Sequence, residues 1–221
     1  MILAIDTATR WLGLALHDGT AVLAEVGWHC KNNHTVELTP TIRELMTRMG
    51  ATMADLSGIA IAVGPGSYTG LRVGMAVAKG LALAHQTPMV GVPTLDIVAA
   101  AHPSQPGDLV VVAEAGRTRV LTAVYQWHGG DGWQTNQTPE IDTWDELLTR
   151  LEGPLTFAGE ISPEAAQKIR TSGKLFQLAR AAASVRRAGF LAELGWQSLR
   201  RGDVDDVATL APIYLRDPAG A

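Results

Sequence analysis

The segment VGPGSYTGLRVGMAVAKGLALAH, residues 63–85, predicts the end of a buried strand, a tight Gly-Pro-Gly turn and a long helix. The helix is apolar on nearly every face, because only Arg72, Lys79 and His85 interrupt it after Thr69. A helix with one side in water normally carries an apolar stripe and a charged back. We therefore expect one face to pack on the protein's own sheet and another face to meet a partner.

Small residues recur at every fourth position of this helix, from Gly70 through Gly74 and Ala78 to Ala82. Glycine inside a helix costs about 1 kcal/mol relative to alanine, so this stripe needs a packing reason. Packing on the protein's own sheet is one reason, and close approach of a second helix is the other. Because the remaining faces are also apolar, the sequence favours an intermolecular contact, which a large side chain at Gly74 or Ala78 should block without disturbing the fold. The predicted partner-binding residues are Gly64, Pro65, Gly66, Ser67, Tyr68, Thr69, Gly70, Leu71, Arg72, Gly74 and Ala78.

Three turns are candidates for phosphate binding or nucleotide chemistry. The turn Gly64-Pro65-Gly66 lies between strand and helix, where backbone amides can hold a phosphate, but the Gly-Lys-Ser/Thr ending of a P-loop is absent. Asp6 and Thr7 end the first predicted strand and are candidate nucleotide-binding residues, with an Asx turn as the structural alternative. Glu114-Ala115-Gly116-Arg117 follows the corresponding strand of the second half, where an ion pair is the alternative to nucleotide chemistry.

Composition narrows the function class. The chain has 221 residues, 47% of them hydrophobic, and a net charge of −4, which gives no overall basic surface for nucleic acid. Cys30 is the only cysteine, so an internal disulfide and a thiolate metal site are excluded. His34 has Leu38 at the position where a helical metal pair needs a second histidine, so we interpret it as a capping or core residue. Without a signal peptide or a membrane-spanning run, the cytoplasm is the expected location.

The order of predicted elements repeats in the two halves of the chain. Each half begins with three strands and continues with alternating helices and strands, and the polar segment 102–107 separates the halves. This order predicts an α/β fold of two ribonuclease-H-like lobes, the architecture of the actin/Hsp70/sugar-kinase superfamily. We expect an N-terminal lobe at 1–103 and a C-terminal lobe at 104–221, with the last segment packing back on the first lobe.

Five segments together resemble a known bacterial family. They are ILAIDTAT at 2–9, HTVELTPTIREL at 34–45, GPGSYTGLRVGMAVAKGLALA at 64–84, VGVPTL at 90–95 and APIYLR at 211–216. The chain is thereby similar to the TsaB (YeaZ) family of tRNA threonylcarbamoyladenosine biosynthesis proteins. The segments run in family order from one end of the chain nearly to the other, whereas the C-terminal lobe between Gln126 and Asp205 resembles the family weakly.

The resemblance implies a noncatalytic subunit that binds TsaD and supports transfer of the threonylcarbamoyl group to the tRNA adenosine beside the anticodon. It also implies that the ATPase TsaE joins the assembly and that the free chain forms a homodimer through the surface that otherwise receives TsaD. Contact with tRNA would come through the complex, and no membrane is involved. No cofactor is expected for the chain alone, while ATP or ADP is compatible with the complex, and no metal site carries over because Leu38 replaces the second histidine.

Two further functions remain open from the residues. A stand-alone ATP-dependent phosphotransferase would use Asp6 and Glu114, and a metallopeptidase would need a metal pair that His34 does not complete. The second lobe also departs from the family, because Glu114-Ala115-Gly116 stands where Asp-Ala-Arg is common. Nucleotide binding by the isolated chain and direct tRNA contact are left undecided by the sequence.

Overall fold

The computed structural model describes residues 1–30, 33–115 and 119–215, which form two compact units. The first unit contains Met1–Ile97 and Arg187–Ile213, and the second contains Val98–Arg186 together with Tyr214 and Leu215. The strands are β1 Ile2–Asp6, β2 Trp11–His17, β3 Val22–His29, β4 Gly58–Gly64, β5 Met89–Pro93, β6 Asp108–Glu114, β7 Arg119–Trp127, β8 Trp133–Gln134, β9 Glu140–Thr143, β10 Leu155–Gly159 and β11 Phe176–Leu178. The helices are α1 His34–Arg48, α2 Tyr68–His85, α3 Thr94–Ala99, α4 Trp144–Arg150, α5 Pro163–Thr171, α6 Ala181–Ser184 and α7 Ala188–Arg201.

The first unit is built on a five-stranded sheet of order β3-β2-β1-β4-β5. Strands β1, β2 and β3 are antiparallel neighbours, whereas β4 and β5 extend the sheet in parallel with β1. β1 and β4 are buried along their whole length, as continuous apolar runs in the centre of a covered sheet predict.

Helices cover both faces of this sheet because side chains alternate along its central strands. Leu3, Ile5 and Ile61 belong to the core formed with α1 and α2. Ala4 and Ala60 belong to the opposite core, formed with α7. The small side chains on that second face allow α7 to approach closely.

The second unit repeats the topology of the first. Its sheet has the order β11-β10-β6-β7-β8, with β9 also paired to β7. β6, β7 and β9 are antiparallel neighbours, and β10 and β11 extend the sheet in parallel with β6. Three antiparallel strands followed by two parallel ones in each unit confirm the predicted pair of ribonuclease-H-like lobes.

The boundary between the units differs from the expected one. It falls after Ile97 instead of after residue 103, whereas the segment Arg187–Ile213 belongs to the first unit, in line with the expectation that the last segment packs back on the first lobe. α7 connects this segment to the first unit, because the missing side chain of Gly195 allows close packing on Ala60; a Cβ at Gly195 would lie 2.5 Å from the Cβ of Ala60. The amino-acid sequence shows which face of such a helix is apolar, but it does not identify the residues of the sheet on which that face packs.

Candidate functional site

The turn between β4 and α2 is packed directly on the turn that follows β1. The backbone N–H of Ser67 donates to the carbonyl of Ala8 at 2.6 Å. The Thr7 hydroxyl donates to the carbonyl of Gly70 at 2.8 Å. A Cβ at Gly66 would overlap the Ala8 carbonyl oxygen, and one at Gly70 would overlap that of Thr7. These glycines are therefore required by the close approach of two backbone segments.

The small-residue stripe of α2 faces the inside of the first unit, so its predicted intermolecular role is wrong. Gly70, Gly74, Ala78 and Ala82 are all buried, as is Leu71 beside them. A Cβ at Gly74 would overlap the Thr7 hydroxyl oxygen and would lie 3.3 Å from the Ile61 side chain. The stripe lets α2 lie close to β1 and β4, which is the alternative that the sequence left open.

Asp6 and Thr7 are fully buried in this packing. One carboxylate oxygen of Asp6 accepts from the backbone N–H of Ala8 at 2.9 Å. This hydrogen bond forms the Asx turn that was the structural alternative in the sequence analysis. Thr7 uses its hydroxyl on Gly70. In this arrangement both side chains are buried and hydrogen-bonded within the chain.

The C-terminal segment 203–213 holds α2, β4 and β5 from the side. The backbone N–H of Ile213 donates to the carbonyl of Val63 at 2.7 Å. The Asp205 carboxylate accepts from Gly91 N–H at 2.7 Å, and the Lys79 ammonium donates to the carbonyl of Ala208 at 3.0 Å. Lys79, one of the three polar residues that interrupt the helix, is therefore hydrogen-bonded within its own chain.

The opposite side of α2 is exposed and still largely apolar. Leu83 is 68% exposed and Tyr68 is 55% exposed, with the Arg72 guanidinium 3.8 Å above the Tyr68 ring. We call the following exposed residues the outer face of α2: Ser67, Tyr68, Thr69, Arg72, Ala76, Gly80, Leu83 and Ala84. Ala76, Gly80 and Ala84 form a second small-residue stripe on this side, and a Cβ at Gly80 would have no heavy atom within 4 Å.

The neighbouring helix α1 also exposes apolar side chains. Its Val36 is 71% exposed, while Leu38, Ile42, Leu45 and Met46 face the core. Val73, Val77 and Leu81 of α2 are partly buried against the same core as α1. The two helices therefore cover one face of the sheet side by side, and exposed apolar residues of this extent often mark an interaction site.

His34 lies at the start of α1 as a buried residue without a metal pair. Its side chain is 7% exposed, and its Nε2 has no hydrogen-bond partner among the described residues. Burial lowers the pKa of this imidazole, while the Thr9 carbonyl and the carboxylates of Asp6 and Glu37 act in the opposite direction. The core-histidine interpretation from the sequence agrees with this environment.

Acid should destabilise the protein through buried histidines. His34 in the first unit and His102 in the second are each 7% exposed, and burial lowers the pKa of both. In the unfolded chain a histidine titrates near pH 6.5, so below about pH 6.5 the unfolded chain binds more protons than the native chain. The free energy of unfolding should fall as the pH decreases from there, by at most about 1.4 kcal/mol per pH unit for each histidine.

Urea unfolding measured across this pH range tests that expectation. The double variant His34→Gln/His102→Gln should show a shallower decrease than the native sequence. His85→Gln serves as the control because His85 is exposed at the end of α2. An unchanged pH dependence in the double variant contradicts the assignment.

In the second unit, the motif that corresponds to Asp6 is only partly described, since Gly116 and Arg117 lie outside the described residues. The backbone N–H of Glu114 donates to the Glu160 carboxylate at 2.8 Å, and the same carboxylate pairs with buried Arg186 at 3.2 Å. In residues 1–30, 33–115 and 119–215, no group of three His, Cys, Asp or Glu side chains could hold a metal ion. Over the same residues, no helix is long and apolar enough to cross a membrane.

Comparisons with known proteins assign this arrangement to a family. A family model described as "TsaD: tRNA N6-adenosine threonylcarbamoyltransferase" matches residues 28–219. A Bacillus subtilis protein, named tRNA threonylcarbamoyladenosine biosynthesis protein TsaB, is 34% identical over 97% of this chain and 93% of its own length. The chain belongs to the TsaB family. The Escherichia coli TsaB is 37% identical over 65% of this chain and 58% of its own length.

A solved structure supports the fold of this TsaB family member. It is that of an uncharacterized Pseudomonas aeruginosa protein with similarity to peptidase YeaZ, and it superposes with a TM-score of 0.80 at 24% identity. The match covers 97% of this chain and 99% of that chain. The fold described above is thus shared with this structure over 97% of the TsaB chain.

Proposed function

We propose that this chain is a noncatalytic subunit of tRNA threonylcarbamoyladenosine synthesis that binds TsaD through the outer face of α2. In this role it supports the transfer of the threonylcarbamoyl group to the tRNA adenosine beside the anticodon. The relatives named TsaB support the pathway, since the Bacillus subtilis protein matches 97% of the chain. The observation that carries the docking surface is the exposed apolar side of a helix whose other side is already buried on its own sheet.

The chemistry of the outer face suits a second helix. Ala76, Gly80 and Ala84 are small, so another backbone can approach closely along this line. Leu83 and Tyr68 lie near opposite ends of α2, and a partner can enclose their large apolar side chains. Large side chains enclosed by a partner commonly account for most of the binding energy at such an interface.

A supporting role fits the buried state of the residues that would otherwise carry chemistry. The Asp6 carboxylate is fully buried and accepts from the backbone of its own turn. The proposal therefore assigns no cofactor to this chain alone, and places ATP or ADP, TsaE and tRNA in the complex with TsaD. When TsaD is absent, two copies of the chain are proposed to meet through the outer face of α2.

The proposal is tested by mixing this chain with TsaD from the same organism and measuring the mass of the mixture. A species with the summed mass of one copy of each is expected, because the outer face of α2 exchanges water for the partner's apolar surface. Two separate species at all concentrations would disprove the proposed binding.

A tRNA modification assay then separates binding from function. Threonylcarbamoyladenosine should form when TsaD, TsaE, ATP, a donor of the threonylcarbamoyl group and tRNA are combined with this chain, and its rate of formation should fall strongly without the chain. Asp6→Asn should leave the rate within about twofold if it still folds, since a side chain that only holds a turn affects stability before activity. Equal rates with and without the chain would contradict the supporting role.

A further inference from the structure

At β3, the edge of the first sheet has no further neighbouring strand in the described part of the chain. In the order β3-β2-β1-β4-β5, β3 pairs only with β2 among the described residues. The other terminal strand, β5, is covered, because Asp205 bridges to Met89 and its carboxylate accepts from Gly91 N–H at 2.7 Å. An open edge presents free N–H and C=O groups and serves as a template for a further strand.

The usual protections of an edge strand are missing from most of β3. Its eight residues, VLAEVGWH, contain no proline and no lysine. Its single acidic residue, Glu25, is engaged, since Arg187 pairs with its carboxylate and the Gly189 N–H donates to it at 2.9 Å. The only irregularity of register leaves Leu23 without a partner residue, near the start of the strand. Ala24–His29 thus remains a regular and nearly neutral edge.

We propose that this edge pairs antiparallel with β3 of a second copy of the chain, with Val26 on the twofold axis. In this register Val26 faces Val26, Ala24 faces Trp28 and Glu25 faces Gly27, because opposing residues of an antiparallel pair lie on the same side of the sheet. Two β-branched side chains meet at the axis. Ala24 lies opposite Trp28, whose indole N–H donates to Glu37 of its own copy at 2.7 Å, so the small alanine side chain leaves the indole in place.

The neighbouring registers are less favourable. An axis at Glu25 sets two carboxylates directly opposite each other, which destabilises a strand pair. An axis at Gly27 sets two glycines opposite each other and removes the central side-chain contact. The Val26 register joins two five-stranded sheets into one continuous sheet of ten strands, and it uses no residue of the outer face of α2. The dimer can therefore hold one partner on each copy.

The test uses a background in which the outer face of α2 is blocked by Leu83→Arg. Sedimentation of this variant should show a dimer that becomes a monomer when Val26→Lys is added, because two ammonium groups then face each other at the axis. A monomeric Leu83→Arg chain at every concentration overturns the proposal. So does a dimer that persists after Val26→Lys.

A cross-link test does not depend on how well Val26→Lys folds. Directly opposite residues of an antiparallel pair have Cα atoms about 4.5–5.5 Å apart, within the range of a disulfide. Val26→Cys should therefore form a disulfide-linked dimer under mild oxidation, whereas Leu175→Cys, which is 73% exposed and lies outside β3, should not. Cys30 is buried, so we expect it to form no cross-link between copies in the native sequence. No cross-link at Val26→Cys, or equal cross-linking at both positions, contradicts pairing centred on Val26.

Discussion

Replacing Gly74 with leucine is expected to lower the free energy of unfolding by about 3 kcal/mol or more. Gly74 is buried, and a Cβ there would overlap the Thr7 hydroxyl oxygen and press on the Ile61 side chain. Neither neighbour can move freely, since Thr7 is fully buried and its hydroxyl donates to the Gly70 carbonyl. The substitution must therefore push α2 away from β1 and β4 and break the buried hydrogen bond.

Gly80→Leu is the matched control on the same helix. A Cβ at Gly80 has no heavy atom within 4 Å, so the leucine side chain enters solvent. Leucine has a higher helix propensity than glycine, and the free energy of unfolding should stay equal or rise by up to about 0.8 kcal/mol. Urea unfolding monitored by circular dichroism measures both values. A Gly74→Leu protein as stable as Gly80→Leu would show that the stripe does not pack inside the unit.

This pair of variants addresses the point at which the structure differs from the sequence prediction, which favoured a partner contact for the glycine stripe. Two small-residue stripes run along α2, one from Gly70 to Ala82 and the other from Ala76 to Ala84. Spacing alone does not tell which stripe faces the sheet. Arg72 indicates which stripe faces solvent, because a charged side chain on an otherwise apolar helix normally lies on the exposed side. Arg72 lies on the same side of α2 as Ala76 and Gly80. The stripe from Gly70 to Ala82 faces the sheet, so the partner contact predicted for it is wrong.

The repeat of two lobes was predictable because it depends on local patterns. Continuous apolar runs at β1 and β4, together with short turns between antiparallel strands, specify each sheet without reference to the rest of the chain. The return of the last segment to the first lobe was also expected, but the residues on which α7 packs were not predictable in the same way. The apolar face of α7 is compatible with either sheet. Its packing on the first sheet depends on the fit between Gly195 and Ala60, which are far apart in the sequence.

The buried state of Asp6 is another result that the sequence could not supply. An Asp-Thr pair after a strand is compatible with an exposed catalytic carboxylate and with an Asx turn. The decision comes from Gly66 and Gly70, which allow the start of α2 to close over the turn and use the carbonyls of Thr7 and Ala8. The same glycines thus bury the candidate nucleotide site and orient the outer face of α2 towards solvent.

The outer face of α2 should lose its partner when its largest exposed side chain is replaced by a charged one. Leu83 is 68% exposed in the free chain, so Leu83→Arg should leave the unfolding free energy nearly unchanged. In the complex, a guanidinium would have to be buried against apolar surface without a counter-charge. The affinity for TsaD should fall at least about 30-fold, which corresponds to about 2 kcal/mol.

Leu175→Arg is the matched control for this experiment, because Leu175 is 73% exposed and belongs to the second unit. Titration calorimetry should give an affinity within about twofold of the native value for Leu175→Arg, since substitutions away from an interface leave binding nearly unchanged. An equal loss of affinity for TsaD in the two variants would indicate a general effect of added charge. If both variants kept the native affinity, Leu83 would be excluded from the interface. A selective loss at Leu83 ties association to the side of α2 that its own sheet leaves uncovered, because the glycine stripe fixes which side that is.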